Sequence, residues 1–432
     1  MYLSIFIKTF RKLTFNSKLL FLILGLPLCG CLKNEDIVGE RIDLYKNKME
    51  KYLAYESKSI NLSTPQYIKS LKHVDNGPTH LLQHSKFSGK LTKIWEAKLT
   101  NRGNISAPVF SEDKIFILDG KANLHSLNLN GKKNWVVNLA PSSERRQNAH
   151  HSGGVVMSNN KLFVATGYGE FFSIDVLGKI QWKKKFDSPF RSAPIYHNDK
   201  IFVTNTSDLA IALNKNGDIL WTLEGATKPT LLSKGVSPAY KNNKLLLPFS
   251  AGKLTAVRSK NGSELWSISF DEGIKGEAYS VIGDFGGSPI IKSNKVYIIS
   301  ATGQFICLNL NTGKKYWSVP IGSNSTPIIN GGSIFVLSNK GKLVRIDEQS
   351  GNIIWSRNLL QTKISSNKLF GPTLAGDFLW IAGNDKSLKK IDPSSGEVIL
   401  SYDLGSKSLY RPFAVHNKLY IITKSGKILA FE

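Results

Sequence analysis

Three observations predict that this sequence folds as an all-β, eight-bladed β-propeller of four-stranded blades, closed by an N-terminal strand. The first is a recurring turn in which Gly stands four positions before a tryptophan. It appears as LNGKKNW (129–135), VLGKIQW (176–182), NKNGDILW (214–221), SKNGSELW (259–266), NTGKKYW (311–317) and QSGNIIW (349–355), while SSGEVIL (394–400) has Leu in the last place. The second is a small-residue–Pro step that opens each unit: SAPVF (106–110), SAPIY (192–196), VSPAY (236–240), GSPII (287–291), STPII (325–329), FGPTL (370–374) and YRPFA (410–414), with SGGVV (152–156) in the second unit. The third concerns the ends of the array. The last unit stops before its Trp strand, whereas KLTKIWEAKL (90–99), carrying Trp95, precedes the first opener. Self-similar units of about 40–50 residues built from short alternating strands indicate blades, since a helical solenoid would show a 3.6-residue period.

The chain begins with a basic stretch, KTFRKLTFNSK, followed by the ten apolar residues LLFLILGLPL (19–28). That run is too short to cross a hydrocarbon core, which takes about 20 helical residues, and it fits the core of an export signal. LCGC (28–31) then resembles a bacterial lipobox, with Leu28, small Gly30 and a thiol at Cys31 that would take the lipid. Residues 1–30 are therefore expected to be a lipoprotein signal peptide. Leu32, where an Asp would retain the protein at the inner membrane, points to release to the outer membrane, facing the periplasm.

Residues 31–89 lack the repeat, are mostly polar and are interrupted by Pro65 and Pro78. They read as a lipid anchor and tether that holds the domain away from the bilayer, so a chain lacking residues 1–88 is expected to keep its fold.

From residue 90 to 432 the units share one grammar. After the opener comes a tight turn (NDK, NNK, SNK or GGS), an apolar strand such as KIFIL or KVYII, a polar hairpin, a third strand such as QFICLNL, and the Gly turn with its Trp strand. Trp95, Trp135, Trp182, Trp221, Trp266, Trp317 and Trp355 are read as scaffold. Each is expected to dock on the neighbouring blade and bury roughly 150–250 Å². An N-terminal strand completing the last blade would remove the open sheet edges. Trp380, outside the repeat position, is expected in the core.

Cysteine usage agrees with export and lipidation. Cys29 leaves with the signal and Cys31 is acylated, so Cys307 has no internal partner and core packing must stabilise the domain. Within FICLNL, Cys307 reads as a small buried hydrophobe. The net charge is +25, of which +21 lies beyond the first thirty residues. The longest Lys/Arg block is KKK (183–185), and no basic–aromatic stripe accompanies it, so nucleic acid is excluded as a partner.

The pattern strand–Asp/Asn–x–x–Thr/Ser/Asn–Gly–x–x–x–Trp, clearest in LNLNTGKKYW and RIDEQSGNIIW, resembles the tryptophan-docking repeat of quinoprotein-type (PQQ-like) propellers over about 340 residues. No Trp is followed by Asp, so the repeat is not of the WD type. Lipobox, tether and eight blades together resemble the BamB family of lipoproteins, with GERI, TGYGEFFSID and FDSPFRSAPI similar to its alphaproteobacterial members. The resemblance implies a scaffold that performs no chemistry. It would dock on a POTRA domain of BamA and on other components of the outer-membrane β-barrel assembly machinery, and would assist unfolded outer-membrane proteins. Matching the family's docking positions residue by residue implies one patch at Leu231, Leu232 and Lys234 (TLLSKGVSP). A second lies at Asp284 (GDFGGSP), where Gly286 replaces the second acid of the pair.

The alternative within the same repeat class is a quinone-dependent dehydrogenase. Such an enzyme calls for Ca²⁺ held by hard oxygen ligands, an Asp base and a pocket that closes on the cofactor, and the resemblance would require a vicinal Cys pair. No Cys-Cys occurs, and His150 and His151 have no third ligand spaced to join them. No catalytic residue, cofactor or metal is expected.

Overall fold

The structure is a computed structural model and describes residues 58–100, 104–143, 153–225, 235–270, 284–360 and 367–432. The expected signal peptide, Cys31 and the other residues up to 57 lie outside the described residues. Among those described, strands pair into eight four-stranded antiparallel sheets. Seven are simple meanders, in which chain order equals spatial order. The eighth combines three C-terminal strands (Phe413–Val415, Lys418–Ile422 and Lys427–Phe431) with the N-terminal strand Lys93–Lys98, which pairs with the last of them. The expected closing strand is present.

Burial within each blade follows its sequence pattern. Second and third strands such as KIFIL and KLVRID are buried almost throughout, whereas fourth strands such as KNWVVN alternate between exposed and half-buried positions. The fourth strand is thus the blade's solvent edge. Every apolar cluster is shared by two neighbouring blades: the first blade's Phe116, Leu118 and Leu124, for example, pack with Val155, Val164 and Ile174 of the second. Blade-on-blade packing therefore supplies the core.

The Gly–Trp spacing has a geometric cause. Gly131, Gly178, Gly217, Gly262, Gly313, Gly351 and Gly396 all have positive φ, and a Cβ on any of them would come within 3.0 Å of the previous blade's Trp ring. The indole lies flat on the bare glycine. Its N–H donates to a carbonyl of the same turn in five cases, from Trp95 to Leu129 (2.9 Å) through Trp266 to Leu310 (3.0 Å). Those of Trp317 and Trp355 are buried without a partner. A bulge just before each Trp sets it opposite one residue of the third strand, often a small one such as Ser126, Ala256 or Cys307. Cys307 is fully buried there, and burial pushes its thiol up to about 12, so it is packing and not a nucleophile.

Seven docks serve eight junctions. At the seam between the seventh and eighth blades Leu400 stands in the Trp position and is 42% exposed. The junction is made instead by Tyr402 edge-on to Phe431 (5.7 Å) and by the fully buried Trp380, which packs edge-on with Phe87 (5.4 Å).

Phe87 belongs to the stretch expected to be a tether, and here the structure corrects the sequence reading. Residues 58–89 do not hang free. They run across one mouth of the ring and contact all eight blades near the ends of the first strands. Leu71 exchanges two backbone bonds with Phe110, and the Met157, Tyr240, Ile291, Gly376 and His416 amides donate to carbonyls of Lys72, Pro78, Thr79, Ser85 and Ile68. The His73 ring meets Tyr196 in the third blade, and Asn330 in the sixth accepts from the Ser63 amide. Ile68, Leu71, Leu82 and Phe87 are buried. Main-chain bonding let a polar, proline-broken segment fold without the periodicity that announces a strand.

Candidate docking face and central channel

The opposite mouth is bounded by the small-residue openers, and the reason they are small is close approach. A Cβ on Gly154 would lie 2.5 Å from that of Ala193, and one on Gly286 only 1.7 Å from the Ser323 carbonyl oxygen. Openers also bond to one another around the ring. Ser237 Oγ donates to the Ala193 carbonyl (2.8 Å), the Ser237 amide donates to Ser288 Oγ (3.2 Å), and Thr373 Oγ1 donates to the Pro412 carbonyl (2.6 Å).

Between the openers lies a central cavity with about 800 Å³ of empty space, its open mouth included. Val74 and Asp75 of the mouth segment line it, together with Arg191 and Arg411. Asp75 Oδ1 receives Arg411 Nη2 (3.2 Å) and Oδ2 receives Thr326 Oγ1 (3.1 Å), while Arg411 also donates to the Val74 carbonyl (2.9 Å) and lies over the Phe413 ring. Burial lowers the Arg411 pKa, partly offset by Asp75. Arg191 donates to Ser250 Oγ (3.3 Å) and approaches Asp208 (3.7 Å), whose carboxyl is raised chiefly by burial.

The sequence-predicted docking residues fare differently. Leu231, Leu232 and Lys234 lie outside the described residues, as do His150 and His151. Asp284 is described, and the structure corrects its role: it is 4% exposed, and its Oδ1 accepts the Ala251 amide (3.1 Å). A carboxylate held in this way ties the fifth blade's opener to the fourth blade. Gly286 cannot carry a second acid, because its Cβ would strike the Ser323 carbonyl. The described ends of the two connections do come together, since Gly235, Val236, Asp284 and Phe285 line one small internal cavity.

Sequence reasoning missed the mouth segment's Asp75, His73, His80 and His84. The available signal was the crowding of three histidines into residues 73–84, a stretch otherwise read as solvated. Among the described residues no three His, Cys, Asp or Glu side chains are grouped to hold a metal, and the cavity-floor Asp75 is already engaged by Arg411 and Thr326.

A family model described as outer membrane protein assembly factor BamB matches residues 129–357 and 339–432. A protein of Rickettsia prowazekii (strain Madrid E) is 25% identical over 269 residues, 60% of this chain and 61% of its own length. Outer membrane protein assembly factor BamB of Yersinia pestis is 23% identical over 243 residues, 54% of this chain and 62% of that protein. The chain thus spans about three-fifths of the length of the curated relatives it matches. Among solved structures, BamB from Moraxella catarrhalis superposes with a TM-score of 0.68 at 16% identity, covering 79% of this chain and 100% of that one. A quinohemoprotein alcohol dehydrogenase from Pseudomonas putida HK5 gives 0.69 at 12% identity, over 84% and 80%. At such identities both share the fold, and a fold does not name an activity. The repeat grammar, the eight blades and the family match converge: this chain belongs to the BamB family.

Proposed function

We propose that this protein is a non-catalytic scaffold of the outer-membrane β-barrel assembly machinery, held in the outer membrane by a lipid on Cys31 and facing the periplasm. On this reading it docks on a POTRA domain of BamA and assists the folding and insertion of outer-membrane proteins. The observation that carries the reading is the BamB family match over residues 129–357 and 339–432. The ring's geometry supports a choice of face: one mouth is filled by residues 58–89, so docking falls to the opener side. There Gly235, Val236, Asp284 and Phe285 line one cavity.

On this reading Leu231, Leu232 and Lys234 contact the partner, while Asp284 holds the neighbouring connection in place. Replacing both leucines by Ala is expected to weaken the complex by about 2–4 kcal/mol, as for anchoring hot-spot side chains. Adding Lys234→Glu should slow association through lost steering. The measurement is co-purification of BamA with wild type and with the triple variant, whose melting temperatures should agree. Equal recovery would rule out this patch.

Residues 1–30 act as the signal peptide, and 32–57 remain as the tether. Cys31→Ser is accordingly expected to block maturation and release the protein from membranes, whereas Cys29→Ser changes neither. Detergent-phase partitioning reads the difference, and a Cys31→Ser protein still in the detergent phase would refute the anchor.

A further inference from the structure

Three of the chain's eight histidines, His73, His80 and His84, lie in the segment that fills the ring's mouth, and a fourth, His416, meets it from the last blade. All four are buried, and each is bonded at or within this contact. His73 Nε2 sits against the Tyr196 carbonyl (3.1 Å) and amide (3.2 Å). His80 Nε2 donates to the Pro238 carbonyl and His416 Nε2 to the Lys69 carbonyl, both at 2.7 Å. His84 Nδ1 donates to the Ser63 carbonyl while its Nε2 accepts the Asp377 amide (3.1 Å).

We propose that residues 58–90 form an acid-released plug: neutral imidazoles hold the segment in the mouth of the ring, and protonating them frees it while the blades stay closed. The geometry leaves an added proton badly placed. Nδ1 of His80 is buried without a hydrogen-bond partner among the described residues. On His84 a second proton would set donor against donor at the Asp377 amide. The charged neighbours do not reverse this. His73 faces His80, His197 and Lys72, all of which oppose its protonation. His80 has Asp75 at 3.9 Å, but that carboxylate is engaged by Arg411 and Thr326. His84 has the largely exposed Asp377 carboxylate at 3.5 Å. His416 has Lys418 against protonation, and the Ser111 backbone and Glu112 in favour, so it opposes an added proton chiefly through burial.

Burial is the largest cause holding His73, His80 and His416 below the ordinary histidine value, with His73 lowered to about 3. A histidine depressed in the folded state adds stability that is complete above the unfolded value of 6.5. That stability is lost as pH falls from there towards the folded pKa. For His73 the window is 6.5 to about 3. By pH 5 His73 alone should raise the opening constant of the plug about 30-fold.

Hydrogen exchange of the full chain, corrected for intrinsic rates, tests this between pH 7.5 and 5.0. The Leu71 and Ser85 amides, and those of Met157, Tyr240, Ile291 and His416 that donate to the plug, should lose protection about 30-fold or more. Second- and third-strand amides should keep theirs. His73→Gln with His416→Gln should flatten the dependence; if that variant fails to fold, the wild-type profile decides alone. Plug protection unchanged across the range would overturn the proposal. So would plug and blade amides losing protection together.

Discussion

A chain shortened to begin at residue 100 is expected to lose cooperative unfolding altogether, whereas one beginning at residue 58 should unfold in a single transition. The strand Lys93–Lys98 supplies the fourth strand of the last blade and pairs with Lys427–Phe431 along its length. It also carries Trp95, which docks on Gly131 of the first blade, and leads to the buried Leu99. Its loss uncovers an apolar sheet edge and a blade junction at the same place. An exposed edge of this kind is a template for aggregation. A chain beginning at residue 90 is the informative intermediate. It keeps the closing strand but lacks the plug and the buried Ile68, Leu71, Leu82 and Phe87, each worth about 1.5–3 kcal/mol when fully buried, less the ordering of the segment. It should still melt cooperatively, but several degrees lower. Thermal unfolding of the three chains decides the matter. Identical curves for the chains starting at 90 and 100 would mean that the N-terminal strand does not close the ring.

Asp75→Ala is expected to cost about 3 kcal/mol, near the lower end for breaking a buried ion pair because the cavity opens to water at its other mouth. Asp75 joins three parts of the molecule: it sits in the plug, receives Arg411 from the eighth blade's opener and receives Thr326 from the sixth. Removing the carboxylate leaves the Arg411 guanidinium with the Val74 carbonyl, Thr373 Oγ1 and the Phe413 ring but without the Asp75 counter-charge. Arg411→Met in the same chain should restore part of the loss, since the penalty lies in the stranded charge. Urea denaturation measures both. A single variant within about 0.5 kcal/mol of wild type would show that the pair does not hold the plug.

Much of the ring was legible because its signals are local and repeated. A Gly that must be bare for an indole to lie on it, followed four residues later by the next indole, is a constraint written in fixed spacing. Six copies, and a seventh that ends in Leu400, make it unmistakable. The permuted closing strand was legible for the same reason, since Trp95 stood outside the array at the end where a strand was lacking. Cys307 was readable as packing from its strand neighbours alone. The candidate site was less legible. Asp284 was matched to a docking position by its place before an opener, but a place in the chain does not say which way a carboxylate turns. This one turns inward to the Ala251 amide.

The sequence by itself therefore determined the blade count, the strand order within each blade and the way the ring closes. All of these follow from turn chemistry and side-chain alternation between near neighbours. Only the tertiary structure decided that residues 58–89 are part of the domain, that the seventh-to-eighth seam is closed by Phe87, Trp380 and Tyr402 in place of a Trp dock, and that Asp284 is internal. The physical reason is the same in each case. These contacts join residues far apart in the chain, for the plug largely through backbone amides and carbonyls that every residue carries, so no residue type or spacing marks them in advance.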